Sequence, residues 1–422
     1  MENGWRRIEH MELLSAGWIV ALILMISIAV LSLHDLVPLL NTWFKRIHIG
    51  RQDQHALWHA AIVDRGAKWL NRTPVAKVTD QTRLTVIERM QGRYSASALQ
   101  DWQRASLLLG LSELPEESGV KRSIEHFLSA TFTDKGDWKH TPRHVDSAIL
   151  AYAVMKIPGV QAGRYRPALD AIRRLIEDHV GEDGTVRYRH AMRDYRYVDT
   201  IGFICPFLIA YGMKFGDTSS LELAMKQVRA FAKHGFHEGL GIPAHAYDIG
   251  NHAPLGLIGW GRGLGWFAIG LIDMWSELPS NHVYKRELRH VVKAFAEAVI
   301  KLQQPGGSWN WTVTRKESRP DSSATVTLAW FLILASEVEG LSAPAMKAVE
   351  KAMDYLRSVT RRDGAVEFSQ GDTKDIGVYS TLFGILPFTQ GFAIRLGQRY
   401  GQSIDRGSEL RTAEGQREWS KP

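Results

Sequence analysis

Asp183-Gly-Thr-Val186 separates one stretch of helically spaced apolar residues from the next, and loops of the same make recur along the chain. They are Asp134-Lys-Gly-Asp-Trp138, Glu238-Gly-Leu240, Pro305-Gly-Gly-Ser-Trp309 and Asp363-Gly-Ala-Val366. Each carries glycine and then an aromatic residue, a β-branched residue or leucine, and successive loops start 49 to 67 residues apart. That interval holds one helical hairpin. The intervening segments place apolar residues on one helix face, as in Leu169-Ile172-Leu175-Ile176 and Leu221-Met225-Val228-Phe231. A single hairpin of this kind cannot bury its apolar face alone, so a repeat of this length predicts stacked helix pairs. About six pairs fit between residues 55 and 400. Closed into a ring they would gather their loops at one end as a funnel; left open they would make a solenoid, and spacing does not distinguish the two.

Outside this region the sequence changes character. From Leu13 to Leu33 no residue is charged, and the length matches the ~20 residues needed to cross a bilayer. The run exceeds a signal-peptide core and no small-x-small cleavage site follows it before His34-Asp35, so it reads as an uncleaved anchor at residues 13–33. Residues 1–12 form a short tail and 34–54 a juxtamembrane linker, in which Trp43 and Phe44 beside Lys45 and Arg46 suit a membrane interface. The expected setting is a single pass through a bacterial inner membrane, with the large domain on the periplasmic side. The last stretch, 401–422, is polar and rich in charged and small residues and is expected to be disordered.

The chain has 422 residues, 45% of them apolar, and a formal charge of +7. The charge favours an acidic partner such as a polyuronate or an anionic membrane. No run of five or six like charges marks a nucleic-acid arm. The lone Cys205 lies in an apolar run and excludes an intramolecular disulfide. No Cys/His spacing suggests zinc and no glycine-rich loop suggests a nucleotide, so no cofactor is indicated.

Two carboxylates stand apart from those on polar helix faces. Asp199 lies in Tyr195-Arg-Tyr-Val-Asp-Thr-Ile-Gly-Phe-Ile-Cys-Pro-Phe, where ionisation is costly and a proton donor is favoured. Asp146, in His144-Val-Asp-Ser-Ala-Ile-Leu, likewise leads into an apolar helix. Either could instead be an N-cap, since Asp before Ser or Thr at a helix start is common capping chemistry. Further on, His245-Ala-Tyr-Asp248 precedes Gly259-Trp-Gly-Arg-Gly-Leu-Gly-Trp266. Glycines so dense point to a ligand approaching the backbone or to tight packing. Arg262 and Trp266, four apart, would share a helix face and could clamp a sugar carboxylate and ring. Asp321-Ser-Ser-Ala324 reads as another cap, and Asp372 and Asp375 near Tyr379 invite the same caution.

Taken in order, Val145-Asp-Ser, Val198-Asp-Thr-Ile-Gly-Phe-Ile-Cys-Pro-Phe-Leu, His245-Ala-Tyr-Asp, Trp260-Gly-Arg-Gly-Leu-Gly-Trp, Leu278-Pro and Asp321-Ser-Ser-Ala resemble the unsaturated rhamnogalacturonyl and glucuronyl hydrolases, glycoside hydrolase families 88 and 105. The resemblance spans roughly residues 120–400. It implies an all-α (α/α)6 barrel, here preceded by one transmembrane helix. It also implies an activity on unsaturated uronic acids at the non-reducing end of an acidic oligosaccharide. In that chemistry an acid protonates C4 of the C4=C5 enol ether and water adds at C5. By the same resemblance Asp199 is the acid and then the base for water, while Asp146 binds sugar hydroxyls and holds the charge of the site. His190, His245, Arg262, Trp266 and Tyr247 fall on substrate-binding positions. Two other activities compete. A polysaccharide lyase on the same toroid would depend on Tyr247, Tyr197 or His245, and a non-catalytic glycan-binding or export subunit would depend on no carboxylate.

Overall fold

The computed structural model describes residues 2–75, 83–92, 99–116, 119–373 and 375–419. Fourteen α-helices run along these residues: α1 Glu2–Arg46, α2 His55–Asn71, α3 Thr85–Met90, α4 Asp101–Ser112, α5 Lys121–Thr131, α6 Ala148–Met155 and α7 Arg166–Asp178. They continue as α8 Val198–Phe215, α9 Thr218–His234, α10 Gly261–Glu277, α11 Val283–Lys301, α12 Ser322–Ala335, α13 Ser342–Ser358 and α14 Pro387–Trp419. Short strands sit between them: β1 Tyr195–Tyr197, β2 Phe236–His237, β3 Ile242–Pro243, β4 Ala246–Asp248, β5 Pro254–Leu255, β6 Ser369–Gln370 and β7 Phe383–Gly384.

The hairpins close into a ring. Helices α4, α6, α8, α10, α12 and α14 each pack against the next, and α14 returns to α4. This answers the question that spacing left open. Within the ring the inner helices are buried on nearly every face, α14 over its first three turns; α12, for instance, has no exposed residue along its length. The outer helices α2, α5, α7, α9, α11 and α13 are amphipathic, as α7 shows by burying Ala168, Leu169, Ile172 and Ile176 and turning its charged residues outward.

Closure depends on two glycines. A Cβ on Gly110 of α4 would meet the Gly391 carbonyl oxygen at 2.3 Å, and one on Gly391 of α14 would meet the Ser106 carbonyl oxygen at 2.0 Å. Only bare backbones fit at this crossing. Gly110→Ala is therefore expected to lower the melting temperature, with a cost of about 1–3 kcal/mol or more from overpacking, readable in a thermal or urea melt.

The recurrent loops have a common place. Each leads from the end of an outer helix to the next inner helix, so all of them lie at one end of the ring. Gly136, Gly184, Gly307 and Gly364 in these loops adopt positive φ, which glycine tolerates without a steric penalty. The bridges Phe132↔Trp138, Val180↔Val186 and Thr360↔Val366 pin three of the turns. The repeat in the sequence is thus the rim of a funnel. The strands crowd the same rim: β1, β4 and β5 form one antiparallel sheet, β2 pairs with β3, and β6 pairs with β7.

At the amino terminus α1 is continuous to Arg46 and does not stop at Leu33, so much of the expected linker is helical. Its stretch from Leu14 to Arg46 has a hydropathy of 2.6 with none of the apolar window buried, which makes it long and apolar enough to cross a membrane. At the carboxyl terminus α14 runs past Gly401 to Trp419, so secondary structure does not end where the composition suggested.

Candidate active site

A cavity of about 60 Å³ opens at the rim, lined by residues of the inner helices α4, α8 and α10 and of the loops around Tyr188, His245 and Asp372. Trp102, Phe203 and Trp266 form its aromatic floor, with Phe388 packed behind them: Trp266 lies 4.4 Å from Phe203, 4.6 Å from Phe388 and 5.6 Å from Trp102 between ring centroids. Asp199, His245, Trp260, Arg262, Asp372 and Tyr197 stand in the wall.

Asp199 belongs to the first turn of α8, whose cap position is Tyr197 and receives no side-chain hydrogen bond. Capping therefore does not account for it. Its Oδ2 is enclosed yet has no hydrogen-bond partner, and it lies 3.5 Å from Nε2 of His245. A polar atom left unpaired in an enclosed setting is costly. The Asp199 side chain lines the cavity, so this cost is borne at the place where a substrate would bind.

The imidazole of His245 is held from behind. Its Nδ1 is 2.9 Å from the Tyr379 hydroxyl, and that hydroxyl accepts a hydrogen bond from the Leu257 amide at 3.0 Å. With the amide as donor, the tyrosine proton is free to go to Nδ1. The tautomer that satisfies this chain carries its own proton on Nε2, toward Asp199. The His245 carbonyl accepts from the Val198 amide at 2.9 Å, which ties the loop to the start of α8 and fixes the two residues relative to one another.

Asp146 sits in a short 3-10 turn, Val145–Ser147, leading into α6, and it too is not the cap. It is buried and does not line the cavity; Arg189 approaches it at 3.7 Å, next to Tyr188, which does line it. Burial pushes the Asp146 carboxyl up to about 6; Arg189 opposes the shift, and Asp101 and Asp372 add to it. A carboxyl with a raised folded pKa binds its proton more tightly than the unfolded chain does, so stability declines as pH rises from the unfolded value near 4 to the folded value near 6. Asp146→Asn removes the ionisation. Its melting temperature relative to the unmodified protein is expected to rise across that window, reaching a gain of about 2–3 kcal/mol at pH 7. Parallel melts at pH 4, 5.5 and 7 check this, and a pH-independent difference contradicts it.

Arg262 is buried, and its guanidinium is occupied. Nη1 donates to the Gln370 carbonyl at 2.6 Å, and Nη2 to the Gly371 carbonyl at 2.7 Å and the Thr373 hydroxyl at 3.1 Å. The clamp on a sugar carboxylate expected from the sequence is thus a clamp on the loop after β6. That loop carries Asp372, whose carboxyl burial pushes up while the Arg262 charge restrains it and Asp199 adds to the rise. Arg262 and Trp266 do share the cavity-facing side of α10. The glycines around them serve helix packing: a Cβ on Gly261 would lie 2.5 Å from the Asn310 carbonyl oxygen, and one on Gly265 2.2 Å from the Thr327 hydroxyl.

Two expected residues lie elsewhere. Tyr247 alternates away from the cavity on β4 and packs on Phe231 and His234. His190 is exposed and stacks on His179 at 3.8 Å. Asp321, by contrast, is the cap read from the sequence, accepting from the Ser323 amide at 2.9 Å, and it also accepts from the Gln370 amide at 3.0 Å. The sequence reading passed over Trp102 and Tyr188 and treated Asp372 only as a possible cap. Nothing local distinguishes them, since they reach the cavity through closure of the ring.

Among known families, the model of Glycosyl Hydrolase Family 88 matches residues 74–380. No curated protein sequence matches the chain. Solved structures share the fold at low identity. A possible member of family 105 from Salmonella enterica is 17% identical with a TM-score of 0.69, over 82% of this chain and 94% of that one. An unsaturated glucuronyl hydrolase from Bacillus sp. GL1, described as responsible for glycosaminoglycan degradation, is 15% identical with a TM-score of 0.63, over 82% and 96%. A polysaccharide lyase is also 15% identical, with a TM-score of 0.58 over 82% and 98%.

Proposed function

The chain belongs to glycosyl hydrolase family 88, and from that premise we propose that it is a membrane-anchored glycosidase that removes unsaturated uronic acid residues from the non-reducing end of oligosaccharides, with Asp199 as its acid and base. The observation that carries this reading is the unpartnered Oδ2 of Asp199 at the cavity wall, beside Nε2 of His245. Protonated Asp199 gives its proton to C4 of the C4=C5 enol ether, and positive charge develops at C5 and the ring oxygen. Water adds at C5 and returns its proton to the Asp199 carboxylate. The C5 hemiketal then opens by breaking the bond from C5 to the ring oxygen, which leaves C1 as a hemiacetal that expels the aglycone. His245, donating from Nε2, steadies the carboxylate once it is ionised. Trp266 and Trp102 offer faces for the sugar ring. Asp146, set back from the wall with Arg189, adjusts the charge of the site and orders the loop that carries Tyr188.

The anchor is α1. A cationic residue at its end, Arg46, pairs with the buried Glu367 of the toroid at 2.9 Å, and this contact between the apolar helix and the barrel supports reading it as part of the working protein. A lyase acting through Tyr247 is disfavoured, because that side chain does not reach the cavity.

The experiment is to incubate the full chain with oligouronides produced by a lyase and to follow the ultraviolet absorbance of the C4=C5 bond. Loss of absorbance, with deuterium at C4 of the product when the reaction is run in heavy water, supports the hydration chemistry. Unchanged absorbance across glucuronyl and galacturonyl substrates removes the proposed activity.

A further inference from the structure

We propose that the rim of the toroid, together with α3, is a membrane-facing surface, so that the catalytic cleft opens toward the lipid headgroups and takes glycan held at the bilayer. The proposal rests on α1 being a membrane span, as read above, and adds where the cleft sits relative to it.

The end of α1 docks at the rim and not at the far end of the barrel. Arg46 binds Glu367 through Nε at 3.1 Å and Nη2 at 2.9 Å and also reaches the Phe383 carbonyl at 3.4 Å. Its guanidinium lies 5.0 Å from the centre of the Phe368 ring. Glu367 is fully buried and shared with Arg361, and the Gly50 amide just beyond donates to the Thr360 carbonyl at 2.9 Å. Phe383 pairs with Gln370 across β6 and β7, and the loop between those strands carries Asp372, Thr373, Asp375 and Tyr379. Arg262 binds the carbonyl of the same Gln370. The helix is therefore seated on the strand pair that frames the cleft.

The second contact lies farther out. Asp35 accepts from the amides of Leu84 at 2.6 Å and Thr85 at 3.0 Å and from the Thr85 hydroxyl at 2.7 Å, so a carboxylate of α1 caps α3. Asp35 precedes Arg46 by three turns, roughly 16 Å along the helix. At that level α3 leaves Leu84, Ile87 and Met90 exposed, Met90 at 84%. They continue the apolar surface of α1, where Leu36, Val37, Leu39, Leu40, Trp43 and Phe44 are also uncovered. Trp43 and Phe44, followed by Lys45, have the amphipathic make-up of residues that settle at headgroup depth. Continuity of the α3 patch with the span identifies its occupant as the bilayer. The inner helices α8 and α10 run from rim to far end over 18 and 17 residues, which sets the far end roughly 25 Å more distant. A cleft so placed favours a glycan chain tethered to, or emerging from, the membrane over one diffusing freely.

The test uses the full chain in phosphatidylcholine/phosphatidylglycerol vesicles, with one fluorophore on Met90→Cys, on Glu317→Cys in a rim loop, or on Glu339→Cys at the far end. Cys205 is buried and does not compete for label. With quencher on the lipid headgroups, the Met90 and Glu317 positions are expected to lose fluorescence and the Glu339 position to keep it. Equal quenching at all three, or stronger quenching at Glu339, overturns the membrane-facing rim while leaving the anchor standing. Protein that fails to float with the vesicles after an alkaline wash overturns the anchor, and the placement of the rim with it.

Discussion

Asp199→Asn is expected to lower turnover of an unsaturated oligouronide by about 10²–10⁴-fold, the usual contribution of general acid–base catalysis, with its melting curve unchanged. The carboxamide matches the carboxylate in size and keeps an oxygen toward Nε2 of His245. It cannot give a proton to C4 or take one from water. The structure removes the rival explanation for this residue, because the cap position of α8 is Tyr197 and the Asp199 side chain makes no capping bond. Ultraviolet assays and thermal melts on the same preparations separate the outcomes. Full activity in the variant defeats the assignment, and a large drop in melting temperature shows a structural role.

The fold was legible because its two determinants are local. Period-3.6 apolar stripes mark the helices, and the glycine loops at residues 134, 183, 238, 305 and 363 mark each return to the rim, four of them through a glycine at positive φ. Closure was not legible, since it rests on the backbone contact of Gly110 with Gly391, two glycines about two-thirds of the chain apart. The same division runs through the site. Asp199 stood out because an acidic residue in an apolar run demands a reason. Asp372 and Tyr379 lie in an unremarkable polar loop, and they gain meaning only when Arg262 grips the carbonyls of Gln370 and Gly371. Arg262 illustrates the limit of spacing. Its spacing from Trp266 correctly placed both on one face, but spacing does not show whether a guanidinium is already satisfied.

A different set of buried charges governs stability, and here Asp273→Ala is expected to cost about 3–5 kcal/mol, the range for breaking a buried ion pair by removing one partner. Asp273 of α10 accepts from Nη1 of Arg395 at 2.7 Å and from the Trp330 indole at 2.9 Å, so one carboxylate joins α10, α12 and α14. Burial works against the charge on Arg395, yet Asp273 and Glu113 hold its pKa above the ordinary arginine value. It stays charged in the core. Without Asp273 the guanidinium keeps only Glu113, at 3.1 Å, and its stacking over Trp330 at 3.9 Å. Urea melts measure the loss. The paired change Asp273→Leu with Arg395→Met should recover much of it, because replacing both charges by apolar groups removes the uncompensated ion along with the bond. These residues lie farther along the inner helices than Trp266 and Phe388, beneath the floor of the cleft, so the folded fraction of either variant should keep its turnover. A single Asp273→Ala that melts with the unmodified protein would mean that the ring closes through its packing alone, with the Gly110 and Gly391 crossing as its chief support.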